Sequence, residues 1–397
     1  MNKYFDELPK YIKLYYNDDR DISIYKLENI NIISSNLYYP NVLLSSNIIP
    51  IREKSMSLDI SYDNFKINDN ITITTIENTP VFYFVYNTNN YLHFIYDTLP
   101  YLISYFELKK TISELKILIQ YPHDEVNELY RYIIEFYNLL NIDYIFINSY
   151  TKYSQLYISS SYTHGIDSNK PPHPIIFDFY SKITELVNNL KPSCDIYDYI
   201  YISRRTWIHN DMSNIGTNYT TRRYMENEDK LVELLEHKGY KEIFCENQSI
   251  IEKIYVLSNA KKIIGTSSGG MINILFCNKN TKIIMIVSPL FFDINKRIKY
   301  AFINNSVIYF DKCYHLDEDI FKLNMRVKTK IDNKYGEIYK VEKDNIILRI
   351  VNNYLEGWDL NKSFELVQYN KNDIEIIDNG INSPWKLDIE EFLIILD

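Results

Sequence analysis

The sequence predicts an α/β fold of two facing Rossmann-like domains followed by a small β module. Three observations support this prediction. Strand and helix patterns alternate before a proline-marked connection at residues 171–174, alternate again after it, and give way to short strands over residues 325–397. Alternating strands and helices indicate parallel sheets with crossover helices. We expect domains at 1–175, 176–324 and 325–397, with a ligand cleft at the carboxyl ends of the strands.

The first series begins after residues 1–80, which we predict as short strands and turns. A helical pattern from Tyr91 to Leu108 contains Pro100, so we expect a kink or break there. Apolar runs and apolar residues at spacings of three and four predict the other elements. The strands are 81–85, 115–119, 144–147 and 156–159, and the helices are 124–140 and 176–190.

The second series has clearer helix boundaries. Gly239 is a good C-terminal cap for one helix, and Ser249 with Glu252 forms the capping-box pattern at the start of another. The predicted strands are 199–203, 242–245, 263–264, 282–287 and 306–310, and the helices are 227–238, 249–259 and 270–277. The β module is predicted from strands at 327–331, 337–341, 346–350 and 364–367.

Composition limits the class of partner. The 397 residues carry a formal net charge of -9, so we expect no nucleic-acid partner, although a few local donors can still hold a nucleotide. The four cysteines form no CxxC pair and fit no zinc site, which is typical of a reducing compartment. The 38 tyrosines suggest an AT-rich viral or microbial genome.

The chain opens without an apolar signal segment, and no apolar run approaches the ~20 residues of a membrane span. We therefore expect a cytoplasmic protein without a transmembrane segment.

The segment Asn90 to Pro100 carries the first candidate site. His93 and Asp97 are four residues apart and share one face of a helix. A carboxylate orients a neighbouring imidazole, and such a pair can take the proton of an attacking hydroxyl. The structural alternative is a helix-surface pair that caps a neighbouring turn.

A second candidate site is the loop from Gly265 to Gly270, between a short strand and a short helix. Its small residues let the backbone approach a ligand, and the N–H groups of a helix start favour an anion such as a diphosphate. The loop is neither a Walker A loop nor a GxGxxG fingerprint. A plain strand-to-helix turn is the alternative.

Arginines supply a third candidate. Arg204 and Arg205 follow a strand, and Arg222 and Arg223 come further on. Guanidinium groups bind phosphate oxygens bidentately, whereas the alternative is a solvated basic loop. For metals we expect no site, because the Asp317-Glu318-Asp319 run fits a solvated acidic turn and the histidines show no ligand spacing.

In this order, the motifs resemble glycosyltransferase family 61. The family includes bacterial capsular polysaccharide synthesis proteins and transferases similar to the EGF-domain O-GlcNAc transferase. The resemblance covers roughly residues 82–289. It rests on Asn90, His93, Asp97, Leu99 and Pro100, on Ser203-Arg204, on Arg223 with Asn227-Glu228, on Glu246 and Ser249, and on Gly265, Gly270 and Asn273.

The sequence departs from the family pattern at two positions. Ser267 stands where the family usually has a loop histidine, and Lys253 stands where a glutamine often follows the glutamate, here Glu252. The serine hydroxyl can still donate one hydrogen bond, without the charge.

The resemblance implies a GT-B fold, an inverting mechanism, no cofactor or metal, and a UDP-sugar donor, with N-acetylglucosamine or xylose the commonest sugars. The acceptor is then a hydroxyl of a glycan or glycoprotein. Some relatives carry an extra C-terminal β domain, which suits residues from about 325 onward.

From these motifs we assign provisional roles. Asp97 is the favoured base, with His93 as the orienting group or the alternative base, and Asn90 is on the acceptor side. The predicted donor-binding residues are Arg204, Arg223, Ser249, Gly265, Thr266, Ser267, Ser268, Gly269, Gly270 and Asn273. A rival interpretation, favoured by Ser267, is an inactive nucleotide-sugar- or glycan-binding relative. A third is a scaffold whose β module recruits a partner.

Overall fold

The computed structural model divides the chain into two compact units. One comprises Met1–Pro192 and Ser249–Ile254, and the other comprises Ser193–Gln248 and Tyr255–Asp397. The residues described are 10–14, 22–34, 42–44, 50–54, 57–59, 74–84, 90–119, 129–147, 151–163, 171–205, 225–294, 296–315, 321, 326–351, 365–376 and 384–396. Within those ranges, no helix is both long and apolar enough to cross a membrane.

The first unit contains one sheet to which ten of the described strands belong. The strands are β1 (Lys10–Leu14), β2 (Ile22–Ser34), β3 (Val42–Leu44), β4 (Pro50–Lys54), β5 (Ser57–Asp59), β6 (Thr75–Glu77), β7 (Val81–Tyr83), β8 (Lys116–Ile119), β9 (Tyr144–Phe146) and β10 (Thr151–Ser159). The main order is β5-β4-β3-β2-β10-β7-β8-β9, with β1 paired to β2 and β6 paired to β10.

This sheet is mixed, which corrects the prediction of a simple Rossmann-like first domain. Strands β10, β7, β8 and β9 are parallel to one another, as the alternating pattern predicted. However, β10 also pairs antiparallel with the long strand β2, from Thr151↔Ile32 to Ser159↔Ile24. That pairing joins the parallel strands to an antiparallel region, and it buries Tyr25 and Leu27 in one cluster with Val81 and Leu118.

The helices of the first unit are α1 (Tyr91–His93), α2 (Leu102–Lys109), α3 (Arg131–Leu139) and α4 (Ile175–Leu190). Between α1 and α2 the chain forms a π-helix at Phe94–Thr98 and a 3₁₀-helix at Leu99–Tyr101. The break expected at Pro100 is therefore confirmed as a change of helix type. The predicted helix 124–140 begins at Arg131 in the structure, and its residues 124–128 lie outside the described part of the chain.

The boundary after the first unit lies at Pro192, not at residue 175 as predicted. The reason is that α4 packs on the first unit. Its Tyr180 hydroxyl donates a 2.6 Å hydrogen bond to the carbonyl oxygen of Ile95 in the π-helix. The side chains of Ile176, Tyr180 and Val187 on one face of α4 are buried.

The second unit contains a five-stranded parallel sheet, as predicted. Its strands are β11 (Tyr199–Ile202), β12 (Lys241–Ile243), β13 (Lys262–Thr266), β14 (Lys282–Ile286) and β15 (Ser306–Phe310), in the order β12-β11-β13-β14-β15. Its helices are α5 (Glu228–His237) and α7 (Phe291–Ile294), with 3₁₀-helices at Cys245–Asn247, Gly269–Phe276 and Lys296–Phe302. Helix α6 (Ile250–Ser258) is divided between the units, because its residues up to Ile254 belong to the first unit. Gly239 has a φ of 85°, so a glycine cap after α5 is confirmed.

The end of the chain returns to the parallel sheet, which corrects the β module predicted at 325–397. Strand β16 (Cys313–His315) pairs antiparallel with β22 (Trp385–Leu387), and helix α8 (Ile389–Leu396) follows. Their apolar side chains share one core with the sheet and α5. The members of this core from the chain end are Trp385, Leu387, Ile389, Phe392 and Leu396.

The β module itself lies within residues 326–376. It is an antiparallel sheet of β17 (Arg326–Thr329), β18 (Tyr335–Val341), β19 (Asn345–Val351), β20 (Leu366–Asn370) and β21 (Ile374–Ile376), in the order β20-β19-β18-β17-β21. It has its own small core of Val327, Ile338, Ile346, Leu348, Tyr369 and Ile374. This antiparallel sheet lies within the predicted range 325–397 and ends before the returning segment.

Candidate active site

In the first unit, His93 and Asp97 form a close pair. The His93 Nδ1 atom lies 2.7 Å from Oδ2 of Asp97. Asn90 caps the preceding helical turn, because its side-chain oxygen accepts the His93 backbone N–H at 3.3 Å. The change to π-helical backbone begins at Phe94, so Asp97 itself lies in a helix type that is often found at functional sites.

The two members of the pair differ in their access to solvent. The Asp97 side chain is 0% exposed, whereas the His93 side chain is 30% exposed. The second carboxylate oxygen of Asp97, Oδ1, accepts a 2.9 Å hydrogen bond from the Thr163 hydroxyl. Asp97 is thus enclosed and fixed from two sides, and His93 is the member of the pair with an accessible surface.

A buried hydroxyl cluster includes the residue that precedes Thr163. The Ser104 hydroxyl lies 2.8 Å from that of Ser159 and 2.7 Å from that of Tyr162, the residue before Thr163. Sequence reasoning missed this group, because Thr163 is 66 residues from Asp97 and belongs to no recognisable motif.

In the second unit, Arg204 follows the carboxyl end of β11. Its backbone N–H donates a 2.9 Å hydrogen bond to Oε1 of Glu228, the first residue of α5. Tyr201 donates to the same carboxylate oxygen at 2.8 Å. Burial lowers the pKa of the Arg204 guanidinium, while the nearby carboxylates of Glu228 and Glu246 oppose that shift. The guanidinium is therefore a largely desolvated cation at the carboxyl end of the sheet.

The guanidinium of the neighbouring Arg205 is paired with carboxylates. Its Nε and Nη2 atoms donate to the two carboxylate oxygens of Glu242 at 2.9 and 2.6 Å, and its Nη1 donates to Asp229 at 2.7 Å. The hydrogen bond to Glu242 is the main cause that raises the pKa of Arg205. Two carboxylates thus occupy this guanidinium, which leaves Arg204 as the better phosphate-binding candidate of the pair.

The glycines of the loop from Gly265 to Gly270 have different surroundings. A Cβ atom at Gly265 would overlap Sδ of Met271 and lie 3.1 Å from Cβ of Ile202. One at Gly270 would lie 3.1 Å from Cγ2 of Ile202. At Gly269 a Cβ atom would meet nothing within 4 Å among the described residues. Gly265 and Gly270 therefore serve packing, and Gly269 faces open space.

The comparison with protein families covers both candidate regions. Residues 91–284 match the family model described as Glycosyltransferase 61. This region belongs to glycosyltransferase family 61. The match confirms the resemblance and supports a transferase of glycosyl groups, with a nucleotide sugar and a glycan acceptor as the suggested partners. A comparison with curated proteins found no match.

Ser267, at the family's usual loop histidine, is a buried residue here. Its backbone N–H donates to the Ile286 carbonyl at 2.8 Å. Its hydroxyl oxygen lies 3.1 Å from the Ser288 hydroxyl and accepts the Ser288 backbone N–H at 3.1 Å. The serine therefore ties the ends of β13 and β14 together within the glycosyltransferase region.

The other polar residues of the loop also lie at this edge of the sheet. Thr266 is buried, and its hydroxyl has no hydrogen-bond partner in the described part of the chain. The backbone carbonyl of Ser268 accepts the Met271 N–H at 3.2 Å at the start of the 3₁₀-helix, and the Asn273 side chain donates to the Gly270 carbonyl at 2.8 Å. The side-chain oxygen Oε1 of Gln248, which sequence reasoning missed, is likewise buried without a partner among the described residues.

Ser249 is placed with different neighbours from those predicted. It belongs to the first unit, whereas the other described donor-binding candidates belong to the second. Its hydroxyl donates to Oε2 of Glu252 at 2.7 Å, which confirms the capping box. In the same segment Lys253, the family's frequent glutamine position, is buried with its Nζ 4.5 Å from the Tyr91 ring centroid.

Some predicted features lie outside the described residues: Arg222, Arg223 and the acidic run Asp317-Glu318-Asp319. Within the described ranges, no group of three or more histidine, cysteine, aspartate or glutamate side chains could hold a metal ion.

Proposed function

We propose that this protein is a glycosyltransferase that moves a sugar from a UDP-sugar onto a hydroxyl of a glycan or protein acceptor, with inversion and without a metal. N-acetylglucosamine and xylose are the proposed sugars, and a GT-B arrangement is the proposed architecture. The observation that carries the proposal is the His93–Asp97 pair, which lies inside the region matched to glycosyltransferase family 61.

His93 is the proposed base. The burial of Asp97 and the partial exposure of His93 support this assignment over Asp97 as the base. With Nδ1 donating to Asp97, the lone pair of the imidazole is on Nε2, and this atom can accept the proton of an acceptor hydroxyl. The acceptor oxygen then bonds to the sugar's anomeric carbon, the bond from that carbon to the diphosphate breaks, and UDP leaves.

The second unit is proposed to hold the departing diphosphate. Arg204 offers a guanidinium fork, and the backbone N–H groups near Gly269 offer uncharged donors beside open space. The hydroxyl of Thr266 is a further candidate donor at this edge of the sheet. Arg223 keeps its proposed role in the same group.

Turnover with a panel of nucleotide sugars tests this proposal. UDP release from UDP-N-acetylglucosamine and UDP-xylose, with glycan acceptors and a chelator present, should exceed release from GDP- and CMP-sugars. His93→Gln should lower kcat by about 10²- to 10⁴-fold, which is the usual contribution of a positioned base. A strict requirement for Mn²⁺, or unchanged turnover in His93→Gln, would contradict the proposal.

A second candidate function is nucleotide-sugar or glycan binding without catalysis. The observation in its favour is Ser267, whose hydroxyl is engaged by Ser288 at the family's usual histidine position. Thermal shifts with UDP-sugars distinguish the two functions, because a ligand that binds the folded state raises its apparent stability. Stabilisation by a UDP-sugar with no turnover on any acceptor would support the binding protein.

A further inference from the structure

A basic groove lies at the amino-terminal end of the parallel sheet in the second unit. It has a volume of about 820 Å³. Tyr199, Lys262 and Lys282, the first residues of β11, β13 and β14, line it together with residues that precede these strands.

The groove is distinct from the proposed donor site. Arg204 and the loop containing Gly269 follow the carboxyl ends of β11 and β13, whereas the groove lies at the opposite ends of these strands. A strand of four or five residues rises ~3.3 Å per residue, so the two places are separated by ~15 Å along the strands. A ligand in the groove therefore does not occupy the donor site.

The lining is cationic. It contains Lys238, Lys261, Lys262 and Lys282, and no described lining residue carries a carboxylate. Asp198 lies beside the groove and pairs with Lys261 at 2.8 Å, and Nζ of Lys262 donates to the carbonyl oxygen of Leu396. The chain as a whole has a net charge of -9, which makes this local excess of lysine a concentrated positive field.

The uncharged lining suits a saccharide. Tyr199 is 43% exposed, and its ring packs against Tyr240 with a centroid distance of 5.4 Å. Tyrosine offers an apolar ring face with a polar tip, which suits the mixed surface of a sugar ring. Three asparagines add amide donors and acceptors: Asn259, Asn278 and Asn280.

We propose that this groove binds an acidic glycan segment, with its carboxylates on the lysines and its sugar rings against Tyr199. It is an additional glycan-binding site in the unit proposed to hold the donor, and it does not depend on catalysis. A transferase with such a site retains a charged polysaccharide between transfer events, because the second contact acts as a tether.

Titration calorimetry with hexameric oligogalacturonate tests the proposal, with neutral maltohexaose and inorganic polyphosphate as comparison ligands. Lys238→Glu with Lys282→Glu should weaken oligogalacturonate binding at least tenfold. Both lysines are exposed, so the fold should persist, as the thermal midpoint will show. The matched control, Lys182→Glu with Lys343→Glu, makes the same charge change at exposed positions outside the groove lining and should bind like the wild type.

Each outcome decides for or against the site. Oligogalacturonate binding that the groove variant loses and the control retains supports it, especially if maltohexaose binds weakly. The proposal is overturned if the wild type does not bind oligogalacturonate, if both variants lose it equally, or if polyphosphate binds more tightly with the same sensitivity. UDP-sugar turnover by the groove variant separates this result from the proposed function, because turnover should remain unchanged.

Discussion

The backbone N–H of Arg204 and the Oε1 atom of Glu228 are 2.9 Å apart, so a buried carboxylate at the start of α5 fixes the chain where β11 ends. The side chains of Arg204 and Arg205 have different surroundings. Arg205 binds Glu242 and Asp229, while Arg204 stays close to the charges of Glu228 and Glu246.

This difference between neighbouring arginines gives a first prediction. Arg204→Lys keeps the charge but loses the planar fork, so we expect donor affinity to fall about tenfold, or ~1.4 kcal/mol, with little change in the unfolding midpoint. Arg205→Lys is the matched variant and should lower stability by ~1 kcal/mol through the lost Glu242 contact, with donor KM unchanged. A larger effect on donor KM from Arg205→Lys than from Arg204→Lys would reverse the assignment.

Glu228 gives a prediction about pH. Burial raises its pKa above the ordinary glutamate value, while the hydrogen bonds from the Arg204 N–H and the Tyr201 hydroxyl oppose that shift. The folded state therefore keeps the proton to a higher pH than the unfolded chain. The stabilisation linked to this proton is complete below the ordinary glutamate pKa and is lost as the pH rises through the raised value.

Glu228→Gln should remove this dependence. Relative to the wild type, the variant should therefore gain stability as the pH rises from 4 to 7, measured as the free energy of unfolding in urea. The exposed residue Glu236, on the same helix, provides the control through Glu236→Gln. An equal difference from the wild type at both pH values would show that the Glu228 carboxyl does not titrate differently in the folded state.

Thr163 gives a prediction about positioning. Its hydroxyl bonds the oxygen of Asp97 that His93 does not use. We expect Thr163→Val to lower kcat about tenfold because the carboxylate can then turn, while Thr163→Ser restores most of the activity. Asp97→Asn should cost more, ~10²- to 10⁴-fold, since the amide no longer holds the imidazole in one tautomer.

The serine variant decides whether Thr163 acts through its hydroxyl or through its methyl group. If Thr163→Ser is as impaired as Thr163→Val, packing of the methyl group explains the effect and the positioning role is wrong.

The sequence predicted the parallel sheet of the second unit well, because most of its strands contain apolar runs and Gly239 and Ser249 mark helix boundaries. It did not predict the mixed sheet of the first unit, since the pairing of β2 with β10 joins segments more than a hundred residues apart. No local pattern encodes such a contact.

In the candidate site, too, local contacts were predicted from the sequence and long-range contacts were not. The spacing of His93 and Asp97 predicted their contact, because four residues make one helical turn. Because Arg204 and Arg205 are neighbours in the sequence, the sequence could not predict which guanidinium is paired with carboxylates. The contact between the Ser267 and Ser288 hydroxyls depends on how β13 and β14 align. These details come from tertiary packing, which fixes the partner of each polar group only once the sheet has formed.

Gly269 gives the last prediction, because it is the loop glycine whose missing side chain leaves open space. Gly269→Ala should fold with an unchanged unfolding midpoint. If a diphosphate lies against this backbone, the added methyl group should raise donor KM about tenfold, or ~1.4 kcal/mol. Gly265→Ala is the matched variant, and its contacts with Met271 and Ile202 should lower stability by ~1–3 kcal/mol. Wild-type donor kinetics in a folded Gly269→Ala protein would place the diphosphate away from this loop.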